Sequence, residues 1–149
     1  AKKLRRLFNY YLKYDYRDEI LDKLMLKHFD EPKLGEKTYL TKSQIREMSH
    51  SGNIIGSHTE NHKVLSRLSY EEQLYEIKSS FDYLSSICQL DYKSFCYPYG
   101  YLSSYNEDTL KILREEGFDD AVIFDNKEQG KIVDKYQLSR VDCNNFMDV

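Results

Sequence analysis

The chain has 149 residues, 40% of them hydrophobic and 32% charged, and carries a net charge of −3. That length and balance fit one globular domain with enough chain for a core, and exclude a disordered tail or a fibre. The mild acidity argues against a dedicated nucleic-acid binder, and no apolar run approaches the roughly 20 residues of a membrane span.

Leu4, Leu7, Phe8, Tyr11 and Leu12 recur at helical spacing, with Lys2, Lys3, Arg5 and Arg6 on the opposite, solvated face. Ile20, Leu21, Leu24 and His28 continue the helical pattern, with Asp15 as the expected N-cap, and Glu31-Pro32 and Gly35 are expected to break it. Thr41 and Gln44 form a capping box for a helix over 41–51 that Gly52 would end in a left-handed residue. A short apolar strand is expected at 53–56, running straight into Ser57-His58-Thr59-Glu60-Asn61-His62.

Ser69 and Glu72 form a second capping box, and Tyr70, Leu74, Ile77, Phe81, Leu84 and Cys88 make one stripe of a helix over 69–88. Further strands are expected at 94–97, 120–124 and 138–141, with a helix over 106–116 capped by Asn106 and closed by Gly117. Strands alternating with helices of this length imply βα units and a largely parallel sheet. Cys88, Cys96 and Cys143 are an odd set without CxxC spacing, which points away from disulfides or a thiolate zinc cluster and toward a reduced, cytoplasmic setting.

Ligands of parallel α/β folds bind beyond the carboxyl ends of strands. Three unusual clusters fall there: His58 to His62, Tyr97-Pro98-Tyr99-Gly100, and Arg140 with Asp142. Two histidines four residues apart can share one divalent ion if the segment is helical or tightly turned, although surface histidines use the same spacing. It is not the H-E-x-x-H protease motif, because Thr59 stands where the glutamate would be. Pro98-Tyr99-Gly100 reads either as an ordinary turn or as one that aims backbone N–H groups into a cleft.

Taken in order, these motifs resemble the polysaccharide deacetylases, carbohydrate esterase family four with its nodulation-deacetylase homology domain. Ile54-Ile55-Gly56-Ser57-His58-Thr59-Glu60-Asn61-His62 is similar to the family's metal motif, and Leu65, Leu68 and Ser69 continue it. Phe95-Cys96-Tyr97-Pro98-Tyr99-Gly100 is similar to the third motif of one branch. The resemblance implies a distorted (β/α) barrel and a metal-dependent hydrolase that removes N-acetyl groups from a polysaccharide or glycan precursor. It implies zinc or a similar divalent ion on His58 and His62, Thr59 bracing the loop, the Tyr99 backbone N–H at the oxyanion, and Tyr97, Tyr99 and Arg140 around the substrate.

The family's first motif, an aspartate pair ending a strand ahead of the histidines, has no counterpart between Ala1 and His58. Phe118-Asp119-Asp120 repeats the letters in the wrong order along the chain and before its strand. Tyr97 replaces the arginine often found before the proline, and no histidine follows His62. A closed barrel usually needs over 200 residues. The expectation is therefore a partial or distorted barrel, with residues 38–149 as an incomplete deacetylase-like α/β domain and residues 1–37 as a helical insertion. Such a chain is expected to hold metal weakly and to turn over little substrate alone. The competing reading is a non-catalytic carbohydrate-binding relative that stacks sugars on tyrosines.

Overall fold

The computed structural model describes residues 2–124 and 134–140. The chain divides into two compact units, residues 1–45 and 46–149. In the first, α1 (Lys2–Arg6) leads into one wide π-type turn at Leu7–Tyr11, followed by α2 (Tyr14–His28) and α3 (Glu31–Thr38). Arg17 is buried there, its guanidinium 4.5 Å from the centre of the Tyr14 ring and 2.6 Å from Asp18 Oδ1.

Two local expectations are corrected in this unit. Lys13, not Asp15, takes the N-cap position of α2, without a side-chain hydrogen bond. Asp15 lies inside the first turn, where its charge still meets the positive end of the helix. Glu31-Pro32 and Gly35 do not break the chain but lie within α3. Asp30 caps that helix by accepting from Lys33 N (3.4 Å), and Pro32 falls in the first turn, where its missing N–H has no intrahelical partner to lose.

The division between the units falls within α4 (Lys42–His50). Its start carries the expected box: Thr41 Oγ1 accepts from Gln44 N (3.2 Å), and Gln44 Oε1 accepts from Thr41 N (2.8 Å). Gly52 closes it at φ 85°, with Asn53 N reaching back to Met48 O (3.2 Å).

The second unit holds α5 (Tyr70–Ile87), β1 (Ser94–Cys96), α6 (Glu107–Glu115), β2 (Asp120–Phe124) and β3 (Leu138–Arg140). The strands form one parallel sheet in the order β1-β2-β3, with Phe95 opposite Ala121 and Ile123 opposite Ser139. Residue 141, the expected end of the last strand, lies outside the described residues. Both expected capping patterns of this unit are formed: Ser69 with Glu72 on α5, and Asn106, here paired with Thr109, on α6. Phe95, Tyr97, Ala121 and Ile123 are buried, as are Ile77 and Phe81 of α5 and Ile112 and Leu113 of α6. Phe118 joins sheet to helix, its ring centre 5.9 Å from Phe95 and 5.4 Å from Phe81.

The stripe on α5 is only partly apolar. Ile77, Phe81 and Cys88 are buried, whereas Tyr70, Leu74 and Leu84 are half-buried, and the polar Gln73 and Glu76 take core positions. The expected strand at 53–56 is also corrected. That segment meets β1 at a single residue, Ser57, which donates to Ser94 O and accepts from Cys96 N (both 2.9 Å). Ile54 is 68% exposed, so the segment runs alongside the sheet without a continuous ladder. Among the described residues the sheet is three-stranded and does not close into a barrel.

Candidate active site

The bridge at Ser57 delivers the next residue, His58, to the end of β1. Its Nδ1 lies 2.6 Å from Cys96 O. A carbonyl only accepts, so this contact makes Nδ1 the donor, and in the neutral ring that tautomer keeps the lone pair on Nε2, the form a metal ligand needs. The Ser57 hydroxyl itself is buried with no hydrogen-bond partner among the described residues, a burden of about 1–3 kcal/mol.

Residues 58–62 are not helical. Thr59 and His62 both adopt left-handed backbone, at φ 63° and 51°. Each such non-glycine residue costs on the order of 1–3 kcal/mol and persists only where the surroundings impose it. Part of that imposition is local, because Thr59 Oγ1 accepts from His62 N (3.1 Å). The turn brings the His58 and His62 rings edge-on with centres 4.8 Å apart. Tyr99, itself at φ 65°, continues the row: its ring centre is 4.8 Å from that of His62, and its hydroxyl donates to His62 O (3.2 Å). His58, His62 and Tyr99 thus form one cluster.

Tyr97 stands elsewhere. Its ring is 1% exposed and stacks on Tyr105 with centres 4.2 Å apart, and its hydroxyl donates to Tyr136 O (2.7 Å). It presents no face for a sugar, which corrects its expected substrate contact. Strand alternation accounts for this, since Phe95 and Tyr97 share the core face of the sheet. Arg140 is exposed and donates to Cys96 Sγ (3.3 Å). Burial pushes the Cys96 thiol up, and the Arg140 guanidinium draws it partly back.

Asp91, Asp119 and Asp120, which follow the histidines, are engaged elsewhere. Asp119 accepts from Lys93 N (2.8 Å), and Asp120 accepts from Tyr92 Oη and Ser94 Oγ (2.8 and 2.6 Å), so the pair fastens β1 to β2. Asp91 accepts from Gln89 Nε2 (2.8 Å), and Asp142 lies outside the described residues. Among the described residues no three His, Cys, Asp or Glu side chains converge on one point. The two imidazoles of His58 and His62 are the potential donors brought together here.

Sequence patterning missed Glu76. Its carboxylate, 2% exposed, accepts from Glu60 N (3.1 Å), Asn61 N (2.8 Å) and Asn61 Nδ2 (2.9 Å), with Lys63 Nζ at 3.6 Å. The available signal was a charged residue in the buried register of a helix just behind the histidine motif. Beside this turn opens a cleft of about 570 Å³, lined by Gly56, His58, Thr59 and Glu60 and, from α5, by Tyr75, Ser79, Ser80, Tyr83 and Leu84.

The profile of the polysaccharide deacetylase family matches residues 22–121. YxkH of Bacillus subtilis (strain 168), whose name places it in the same family, is 31% identical over 108 residues. That alignment covers 72% of this chain and 38% of YxkH. Among solved structures, the Streptococcus pyogenes deacetylase PplD in complex with acetate is similar, with a TM-score of 0.64 and 28% identity. The match covers 73% of this chain and 47% of PplD, so the chain spans less than half of either relative.

Proposed function

The chain belongs to the polysaccharide deacetylase family, and we propose that it supplies the histidine side of a divalent-metal centre that removes acetyl groups from the amides of an N-acetylated glycan. One observation carries this reading: His58 and His62 stand edge-on at 4.8 Å, with His58 tied through Nδ1 to Cys96 O. That tether orients the ring and reserves Nε2 for an ion. A bound divalent ion would polarise the acetyl carbonyl and acidify a water molecule.

The remaining roles belong to this chain's own residues. Tyr99 sits against His62, with left-handed backbone, where a main-chain N–H can meet the developing oxyanion. Arg140 supplies a cation near the end of β3 for polar groups of the sugar. Thr59 holds the turn between the two ligands. General-base catalysis contributes about 10²–10⁴-fold, and no carboxylate among the described residues joins the histidines to provide it. The expected outcome for the 149-residue chain alone is therefore little acetate release from N-acetylated glycans.

Zinc titration tests the core of the proposal. The wild-type chain should take up zinc weakly, and His58→Ala and His62→Ala should each abolish that uptake. Equal uptake by all three proteins would overturn the metal reading. A second reading is favoured by the cleft, where Tyr75 and Tyr83 are 59% and 53% exposed beside His58. A sugar-binding module would retain glycan affinity in both histidine variants, whereas a deacetylase centre would lose it with the metal.

A further inference from the structure

We propose that Glu76, buried on α5, is the positioning residue of the histidine pair, setting through its carboxylate the turn on which His58 and His62 meet. The proposal deepens the metal-centre reading and rests on it for one of its two readouts.

The contacts are concentrated in one place. Glu76 Oε2 accepts from Glu60 N and Asn61 N, and Oε1 from Asn61 Nδ2, at 2.8–3.1 Å. Lys63 Nζ stands 3.6 Å from Oε1, and the Glu76 carbonyl also accepts from Glu60 N (3.2 Å). Every one of these donors lies between the two histidines or directly after the second. A carboxylate 2% exposed is tolerated only when it is paired and hydrogen-bonded. Here the turn supplies that compensation, so the burial of Glu76 and the shape of residues 59–63 are a single arrangement.

The turn needs such a hold. Thr59 and His62 are both left-handed, and the segment has no helical hydrogen bonds of its own to fix the two rings. Cys96 O anchors the first histidine and Tyr99 flanks the second. Glu76 takes hold of the residues between them, through two consecutive backbone N–H groups. Glutamine cannot replace it fully, because its amide keeps one accepting oxygen and turns a donor toward the donors of the loop.

The test compares wild type, Glu76→Gln and Asn61→Ala, with Ile77→Val as a control that alters a neighbouring buried side chain outside the loop contacts. The first readout needs no metal: NMR contacts between the His58 and His62 rings and between the His62 and Tyr99 rings. These should be lost in Glu76→Gln, weakened in Asn61→Ala and kept in Ile77→Val. The second is zinc affinity, which should fall about 10–100-fold in Glu76→Gln, the usual effect of removing an outer-shell partner, and less in Asn61→Ala. A Glu76→Gln protein that is less stable but keeps both the ring contacts and the zinc affinity would overturn the proposal. If that variant does not fold, unchanged ring contacts and affinity in Asn61→Ala would overturn it. Absence of zinc binding by wild type would instead remove the metal reading, and the ring contacts alone would then decide the role of Glu76.

Discussion

Gly100, one residue beyond Tyr99, has a backbone that leaves no room for a side chain. Its φ is 71°, and a Cβ there would lie 2.5 Å from Phe124 N and 2.7 Å from Phe124 Cβ. Gly100→Ala combines left-handed strain with a clash against the end of β2. It should destabilise the second unit by about 3 kcal/mol or more, read as a lower urea midpoint. At this scale the sequence was legible where a motif fixes the residue types locally. His58, Thr59 and His62 fall together because the turn that joins them is short, and Tyr99 meets them across the bridge between Ser57 and β1. Tyr97 and Glu76 were not legible, for one physical reason. Which way Tyr97 faces is decided by the alternation of β1 against the core, and what Glu76 touches is decided by a loop sixteen residues away in sequence.

Elements with strong end signals formed where the chain predicts them. The boxes at Thr41, Ser69 and Asn106 each satisfy backbone donors that a helix start would otherwise leave bare. The segment at 53–56 had only an apolar run, and a run cannot say whether a neighbouring strand is in register with it. Strand β1 carries a pH-linked element of the core through the residue that follows it. Burial pushes the Tyr97 phenol far above the ordinary tyrosine range, with Tyr105 nearby adding to the rise. The folded chain therefore holds this proton more tightly than the unfolded one. The resulting stability is fully present below the unfolded value of about 10 and is lost as pH rises beyond it. Tyr97→Phe should cost about 1 kcal/mol at neutral pH, through the lost bond to Tyr136 O, yet flatten the alkaline decline in denaturation midpoint between pH 9 and 11.

Across the whole chain, core formation is unevenly shared. The buried apolar side chains, from Val64 to Tyr136, belong to the second unit, whereas in the first Arg17 is the buried residue among those described. A peptide of residues 1–45 should therefore melt without cooperativity, and a chain of residues 41–149 should keep a single urea transition. A cooperative transition in the short peptide would contradict this. Legibility follows the same division. Alternating strands and helices with apolar faces announced a parallel α/β unit, because burial and pattern agree there. The helices of the first unit bury little, so apolar spacing guides their boundaries weakly, and Pro32 and Gly35, which read as an end, lie inside α3.

The turn between the histidines is pinned at several points: His58 to Cys96, Asn61 to Glu76, and His62 beside Tyr99. Surface loops usually absorb an added residue cheaply, since even doubling a loop costs only about 0.6 kcal/mol in closure entropy. This one has no slack to give. The exposed side chain at position 60 can vary in kind, whereas Asn61 is held to Glu76, and the count of residues cannot change without carrying one ring away from the other. Diversification of this segment should thus proceed by substitution and not by insertion or deletion, and a library that varies loop length here should yield folded proteins without a histidine pair.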